Sequence, residues 1–168
     1  MLQIQDVSCE NGGDILFTNF TFSLDSRSRK RVAVVWRNGR GKTTLLKAIA
    51  KLITPYAGVI SVKDEVVWYL EQDPTFPDEN KTIAEYLSEN LEEEWMFYQV
   101  EQAISEVGLD LADQDLMISC LSGWQKMRVR LAKILMEEPT VLLFDEPTNH
   151  VDDMGKKFLA SFMKSFGG

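Results

Sequence analysis

The sequence predicts an α/β fold in which a parallel sheet is flanked by helices. Segments of strand character alternate with segments of helical period along most of the chain. The apolar run at residues 32–35 predicts a short buried strand, and the residues after it predict a loop and then a helix. Near the N-terminus, two alternating segments at 1–8 and 15–24 flank turn residues and predict an antiparallel pair of strands.

The other elements follow from hydrophobic period and from the positions of glycine and proline. A helix is expected from about residue 42 to 52, because Thr54-Pro55 and Gly58 interrupt the pattern there. Ser122 is the expected N-cap of a later helix, since its hydroxyl can accept a hydrogen bond from a free N–H group. The remaining expected elements are strands at 59–62, 66–70 and 141–144 and helices near 82–90, 92–107, 122–136 and 154–166.

Composition and charge exclude several classes of protein. The chain has 168 residues, 45% hydrophobic and 26% charged, which is ordinary for one globular domain. Its net charge of −8 is uneven, because residues 71–115 hold fourteen acids and one lysine. An acidic surface disfavours non-specific binding to nucleic acid. The sequence shows no membrane-spanning run and no signal peptide. Cys9 and Cys120 suggest neither a disulfide framework nor a metal site. We therefore expect a cytoplasmic protein.

The loop after residues 32–35 carries the main chemical motif. It matches the pattern G-x-x-x-x-G-K-[ST] at Gly41, Lys42 and Thr43, between a predicted strand and a predicted helix. Backbone N–H groups at such a helix start bind phosphate oxygens, the lysine reaches the β- and γ-phosphates, and the threonine hydroxyl binds Mg²⁺. The expected phosphate-binding residues are Asn38, Gly39, Arg40, Gly41, Lys42, Thr43 and Thr44.

Trp36 stands where this pattern has its first glycine. Glycine suits the position because the turn is tight and the backbone passes close to the phosphates. We therefore expect the indole to crowd the loop, so that Trp36→Gly would raise the affinity for nucleotide. The alternative is a decayed loop that binds nothing.

A second motif, Asp145-Glu146, follows the apolar segment at 141–144. Carboxylates at the carboxyl end of a parallel strand are well placed to serve a metal bound to phosphate. Asp145 is expected to hold Mg²⁺ through water, and Glu146 to orient and polarise the water that attacks the γ-phosphate. The alternative is an ordinary acidic turn.

Together with three further segments, these motifs resemble the nucleotide-binding domain of ABC ATPases. The resemblance covers essentially the whole chain, and LSG-Q ahead of DEP is its most specific part. In chain order the segments are WRNGRGKTT at 36–44, Gln72, LSGWQ at 121–125, VLLFDEP at 141–147 and TNHVD at 148–152.

The resemblance implies that the chain binds ATP and Mg²⁺, and that ATP is hydrolysed when two such domains close on each other. Gln72 would sense both the metal and the attacking water, so it is a metal candidate and a catalytic candidate beside Glu146. Ser122, Gly123 and Gln125 would contact the γ-phosphate held by the facing domain, and Trp124 stands where LSGGQ has its second glycine.

The resemblance also implies a domain organisation. Residues 1–168 would form a single nucleotide-binding domain with a helical subdomain at about 74–136. The chain ends before the family's switch-histidine strand, so we expect a C-terminally incomplete domain with little or no turnover by itself.

Within the family, residues 147–152 resemble the EPTNHLD run of the ABC-F branch, whose members are soluble proteins with two such domains, many of them acting on the ribosome. Asn149 and His150 carry this similarity, because transport subunits more often have Ser-Ala-Leu-Asp there. The implied partners are a second ABC domain, in the same longer chain or in a homodimer, and the ribosome. Two other functions stay open: the ATP-binding subunit of a membrane transporter, and a degenerate nucleotide-binding module without turnover.

Overall fold

The computed structural model describes residues 1–25, 30–37, 39–89, 91, 96–149 and 151–167. The chain divides into two compact units. The first is built mainly from Met1–Tyr69 and Pro139–Asp145, and the second from Leu70–Glu138 and Glu146–Phe166. Within the described ranges, no helix has both the length and the apolar character needed to cross a membrane.

A three-stranded antiparallel sheet lies in the first unit. Its strands are β1 (Leu2–Asn11), β2 (Asp14–Leu24) and β3 (Ala57–Val62), in the order β2-β1-β3. Asn11 pairs with Asp14 across a turn in which Gly12 and Gly13 have φ angles of 60° and 91°. The antiparallel pair that the alternating pattern predicts is therefore confirmed.

An irregularity in β1 decides which of its side chains enter the core. Leu2 and Ile4 are buried at even positions, whereas Val7 and Cys9 are buried at odd positions. Between these two pairs the register shifts against both neighbouring strands, and Asp6 has a φ angle of 50°. One extra residue in a strand reverses the face that the following side chains take. All four apolar side chains therefore join one cluster.

Helix α1 (Lys42–Ile49) completes this cluster with Leu45, Ala48 and Ile49. Burial in the cluster raises the pKa of the Cys9 thiol. The helix ends before the predicted residue 52, because Lys51 adopts a φ angle of 59° and the N–H of Leu52 donates to the carbonyl of Lys47 at 2.9 Å. This left-handed residue and its hydrogen bond form a Schellman-type end, which stops helix propagation.

A second, parallel sheet pairs β4 (Val67–Leu70) with β5 (Val141–Phe144). The pairing begins where the carbonyl of Val66 accepts hydrogen bonds from the N–H groups of Thr140 and Val141, at 2.9 and 3.1 Å. Both strands lie where their apolar runs predict them. The α/β fold class is therefore confirmed.

Residues 32–35 do not form the buried strand that their apolar run predicts. They belong to no helix or strand, and Val32 and Val35 expose 50% and 85% of their surfaces, although Val34 packs partly buried against the core cluster. A central parallel strand is buried only when strands pair with both its edges and helices cover both its faces. In the part of the chain that is described, the second sheet consists of β4 and β5 alone. The prediction is wrong because a buried strand at 32–35 would need a paired strand at each edge, and the described part of the chain pairs no strand with it.

The second unit is helical. Its helices are α2 (Ile83–Ser88), α3 (Met96–Glu106), α4 (Gly123–Leu135) and α5 (Asp153–Ser165), with short 3-10 segments at Leu111–Asp113 and Ile118–Cys120. The four helices predicted in this part of the sequence are confirmed, although residue 90 of the first and residues 92–95 of the second lie outside the described residues. The helical subdomain at about 74–136 stays a prediction.

Gly58→Ala is expected to destabilise the first unit strongly. Gly58 has a φ angle of 88°, and a Cβ there would lie 2.5 Å from the carbonyl carbon and oxygen of Asp6. Gly13 has a similar φ angle of 91° with no atom within 4 Å of its Cβ position, so Gly13→Ala measures backbone strain alone. We expect Gly58→Ala to lose about 2 kcal/mol more than Gly13→Ala in urea unfolding, because the clashing atoms belong to a paired strand. Equal losses would contradict the steric argument.

Candidate functional site

The loop that the sequence predicts to bind phosphate contains two glycines with left-handed backbones. Gly39 and Gly41 have φ angles of 75° and 90°. Gly41 is the N-cap of α1, and its carbonyl accepts a hydrogen bond from the N–H of Leu45 at 2.8 Å. The first turn of α1 contains no acidic residue. No carboxylate in the first turn therefore neutralises the positive end of the helix, and this leaves the end able to attract an anion.

The cationic side chain of this loop folds back over it. Lys42 Nζ lies 3.4 Å from the carbonyl oxygen of Trp36, to which it donates a hydrogen bond. Thr43 is exposed and Thr44 half-buried at the start of α1, and the exposed Arg40 donates its N–H to the carbonyl of Arg37 at 3.3 Å. Asn38 lies outside the described residues. The sequence-predicted lysine and threonines thus stand together at one helix start.

The indole of Trp36 packs against the antiparallel sheet. Its ring centroid lies 5.0 Å from that of Phe17 and 5.6 Å from that of Phe20, the second pair being edge to face. Such aromatic pairs stabilise beyond the area they bury. The packing gives Trp36 a structural role that the motif did not reveal. That it crowds bound nucleotide stays a prediction.

Asp145 lies at the end of β5, in the same unit as the phosphate-binding loop. It is only 4% exposed, and its Oδ2 accepts a hydrogen bond from the phenol of Tyr69 at 2.9 Å. Among the described residues no three His, Cys, Asp or Glu side chains gather as a metal site. One carboxylate and the hydroxyl of Thr43 are nevertheless oxygen donors that suit Mg²⁺, which commonly keeps several waters and takes further ligands from substrate phosphates.

Glu146 belongs to the second unit, where Asn149 holds it. Glu146 is exposed and has a φ angle of 46°, and its Oε2 accepts a hydrogen bond from Asn149 Nδ2 at 2.7 Å. The N–H of Asn149 also donates to the carbonyl of Glu146, at 3.0 Å. Asn149 is thus an orienting residue for this carboxylate. Gln72 is half-buried in the bend after β4, and His150 lies outside the described residues.

The predicted signature loop is a fully formed helix cap. Ser122 Oγ accepts from the N–H of Gln125 at 3.2 Å, and Gln125 Oε1 accepts from the N–H of Ser122 at 3.0 Å. This reciprocal capping box starts α4 and confirms the predicted N-cap. Gly123 has no heavy atom within 4 Å of its Cβ position. The turn therefore presents its backbone openly at a helix N-terminus.

Trp124, at the next position, packs across to α5. Its ring lies 5.9 Å from that of Phe158, and the guanidinium of Arg128 lies 5.4 Å from the Trp124 ring centroid. Burial lowers the pKa of Arg128, while Asp113 and Asp152 act in the opposite direction. The guanidinium also donates to the carbonyl of Gly108 at 2.6 Å. Trp124 is therefore part of the α4–α5 packing.

Asp152 begins α5 and meets the same packing. Its Oδ1 accepts from the N–H of Gly155 at 2.8 Å, which caps the helix. A Cβ on Gly155 would lie 3.0 Å from Trp124. The structure therefore brings the signature turn and Asp152 together within the second unit, while the phosphate-binding loop and Asp145 share the first. The functional roles of all these residues stay predictions.

A glycine-capped helix start that opens with Lys42 and Thr43, a buried aspartate at a strand end and a capped LSG-Q turn are the features of an ATP-binding domain of the P-loop class. Residues 19–149 match the family described as ABC transporter. The chain belongs to this family, and it is an ABC ATPase domain. The resemblance seen in the sequence is therefore confirmed.

Among the curated relatives, the ATP-binding protein Uup of Caulobacter vibrioides is 34% identical over 154 residues, which are 90% of this chain and 24% of Uup. Elongation factor 3 of Mycosarcoma maydis is 32% identical over 155 residues, 90% of this chain and 14% of that protein. Both are ABC-F-type proteins, in agreement with the branch resemblance at residues 147–152. The chain spans 27%, 32% and 24% of the lengths of three curated relatives that it matches.

A solved structure of similar fold is a dimeric ATP-binding cassette in a post-hydrolysis state with ADP and phosphate bound. It matches with a TM-score of 0.85 over 99% of this chain and 83% of that chain, at 18% identity. At this identity the likeness supports the fold alone.

Trp36→Gly is expected to lower the stability of the first unit by about 2–3 kcal/mol, because it removes an indole that is half-buried against Phe17 and Phe20. Trp36→Phe is the control, since it keeps a ring in the cluster and should cost less than half as much. Urea unfolding followed by circular dichroism measures both. A Trp36→Gly variant as stable as the parent would mean that the indole contributes nothing to the sheet.

Proposed function

We propose that the chain binds ATP with Mg²⁺ and hydrolyses it as one of a pair of ABC domains. The observation that carries this proposal is the start of α1, where left-handed Gly41 caps a helix that opens with Lys42 and Thr43. The buried carboxylate of Asp145 belongs to the same compact unit. Membership of the ABC family supports the same activity.

Each side chain then has a distinct task. The N–H groups at the start of α1 and the ammonium of Lys42 hold the β- and γ-phosphates. Thr43 and Asp145 hold Mg²⁺, with Gln72 sensing it, and the bound metal supplies neutralisation of phosphate charge. Glu146 orients the attacking water, and its hydrogen bond to Asn149 keeps the carboxylate in one rotamer.

The signature turn serves a second ABC domain rather than its own phosphate site. Ser122, Gly123 and Gln125 present a capped helix start, which favours contact with an anion. A solved cassette of the same fold is dimeric, which is the arrangement that this proposal gives to the chain. The second domain would lie in the same longer chain or in a homodimer.

We infer that the protein to which this domain belongs has an ABC-F-type role on the ribosome, in the cytoplasm. The relatives Uup and elongation factor 3 support this role. So does the bond between Asn149 and Glu146, because it uses the asparagine that marks the branch in the sequence. The acidic stretch at 71–115 would not hold RNA tightly. Binding to the ribosome would therefore come from parts of a longer protein.

Two alternatives remain. The first is the ATP-binding subunit of a membrane transporter. It is favoured by the fold match to cbiO1 of Clostridium perfringens, which is part of an ABC transporter complex. The match has a TM-score of 0.81 and 25% identity, and it covers 99% of this chain and 74% of that chain. A degenerate module without turnover is favoured by Trp36 and Trp124 at two glycine positions. The ring packing of both indoles supplies a structural reason for these residues and so weakens the second alternative.

Lys42→Ala is expected to weaken Mg·ATP binding about 10- to 100-fold, since a charge-assisted contact to phosphate contributes about 1.5–3 kcal/mol. Lys47→Ala is the matched control, because Lys47 lies in the last turn of the same helix, away from the loop. Isothermal calorimetry compares the two variants with the parent. Equal affinities for Lys42→Ala and Lys47→Ala would overturn the assignment of the phosphate site.

Glu146→Gln is expected to trap the gene product on ribosomes when ATP is present, because ATP still binds but the attacking water is not activated. Lysate from its host is fractionated on a sucrose gradient with and without ATP. The Lys42→Ala variant is the control and should stay in the light fractions. Recovery of Glu146→Gln in the membrane pellet together with an integral membrane protein would instead support the transporter alternative.

A further inference from the structure

Tyr69 contacts the metal-binding candidate Asp145 but belongs to none of the motifs that define the site. Its phenol donates to Asp145 Oδ2 at 2.9 Å, and the two residues are 8% and 4% exposed. A hydrogen bond to an ionised carboxylate is about twice as strong as one between neutral groups. Because both partners are largely buried, the bond from Tyr69 satisfies part of the hydrogen-bonding capacity of the carboxylate.

The pairing of β4 with β5 fixes this contact. The carbonyl of Val66 accepts from the N–H of Val141, which sets the register of the two strands. Tyr69 lies three residues beyond Val66, and Asp145 lies four residues beyond Val141. Paired strands run about 4.8 Å apart. Tyr69 lies in β4 and Asp145 directly follows β5, so the pairing brings the long tyrosine side chain within reach of the carboxylate. The pairing of the two strands therefore places the phenol beside Asp145.

An aspartate without such a donor has a broad distribution about its last side-chain torsion. The bond from Tyr69 engages Oδ2. We propose that Tyr69 is a positioning residue for Asp145, whose phenol holds the carboxylate in the orientation that receives the hydrated Mg²⁺ of a bound nucleotide. This inference rests on the proposed function of the site. Tyr69 acts through Asp145 and does not itself touch metal or nucleotide.

Loss of the Tyr69 hydroxyl has different effects in a positioning role and in a merely structural role. Tyr69→Phe keeps the buried ring and removes the donor. A structural role would lower stability and leave the metal linkage intact. The positioning role instead weakens the gain in nucleotide affinity that Mg²⁺ brings, while affinity without metal is unchanged, because the phosphate cradle of α1 is untouched.

The experiment measures the affinity of the chain for a fluorescent, non-hydrolysable ATP analogue in EDTA and in saturating Mg²⁺. The ratio of the two dissociation constants gives the Mg²⁺ enhancement, which requires no turnover. Tyr69→Phe should reduce this ratio about tenfold, the lower end of the loss seen when a partner of a metal ligand is removed. Its dissociation constant in EDTA should stay within about twofold of the parent value.

Three further variants separate the outcomes. Tyr86→Phe is the matched control, because Tyr86 is 3% exposed and loses a phenol contact to Arg130 in the other unit. It should leave the enhancement unchanged. Asp145→Asn should reduce the enhancement more than Tyr69→Phe does while leaving a measurable part of it, and Tyr69→Phe should reduce it no further in that background. Thermal unfolding of each variant shows that it is folded.

The results distinguish the two proposals. An enhancement in Tyr69→Phe equal to that of the parent, while Asp145→Asn reduces it, would overturn the role of Tyr69 and leave the proposed function standing. A further loss from Tyr69→Phe in the Asp145→Asn background would also overturn it, because Tyr69 would then act by another route. If the parent chain fails to bind the analogue in EDTA and in Mg²⁺, the proposed function fails and the inference fails with it.

Discussion

The close approach of Gly41 to β2 is the constraint on which the start of α1, the proposed phosphate site, depends. A Cβ at this residue would lie 3.0 to 3.2 Å from side-chain atoms of Leu16 and Phe17, and its φ angle of 90° is one that L-residues rarely adopt. Glycine is therefore favoured by the tight packing and, above all, by the backbone geometry. The same residue accepts the first helical hydrogen bond, so strain at Gly41 would act directly on the start of α1.

Elements set by local sequence were predictable, and elements set by distant partners were not. The β1–β2 pair follows from alternation and turn residues that lie within one short stretch of sequence. The Ser122 cap likewise depends on Gln125, only three residues away. By contrast, the state of residues 32–35 depends on neighbouring strands, which an apolar run does not specify. The early end of α1 depends on a left-handed Lys51, and lysine has no strong preference for that conformation.

The same distinction applies to the candidate site. Motif spacing places Lys42 and Asp145 in their elements, but it cannot reveal Tyr69, because that contact spans 76 residues and depends on strand register. Asn149 was predictable in principle, since it lies three residues after Glu146 in a tight turn. Trp36 and Trp124 suggested a degenerate site because a motif records only what the residue at each position does toward the ligand. The motif says nothing about packing within the protein, such as the contacts of Trp36 with Phe17 and of Trp124 with Phe158.

The two thiols of the chain differ in chemical accessibility. Cys9 is 3% exposed under α1, and burial raises the pKa of its thiol, whereas Cys120 is exposed at the end of a 3-10 segment. Alkylating reagents attack the thiolate and need access to it. A maleimide dye added to the folded chain should therefore label Cys120 and spare Cys9. Since Cys120 precedes Ser122 by two residues, the unaltered sequence offers one point for a fluorophore beside the signature turn, where its emission would respond to whatever docks there.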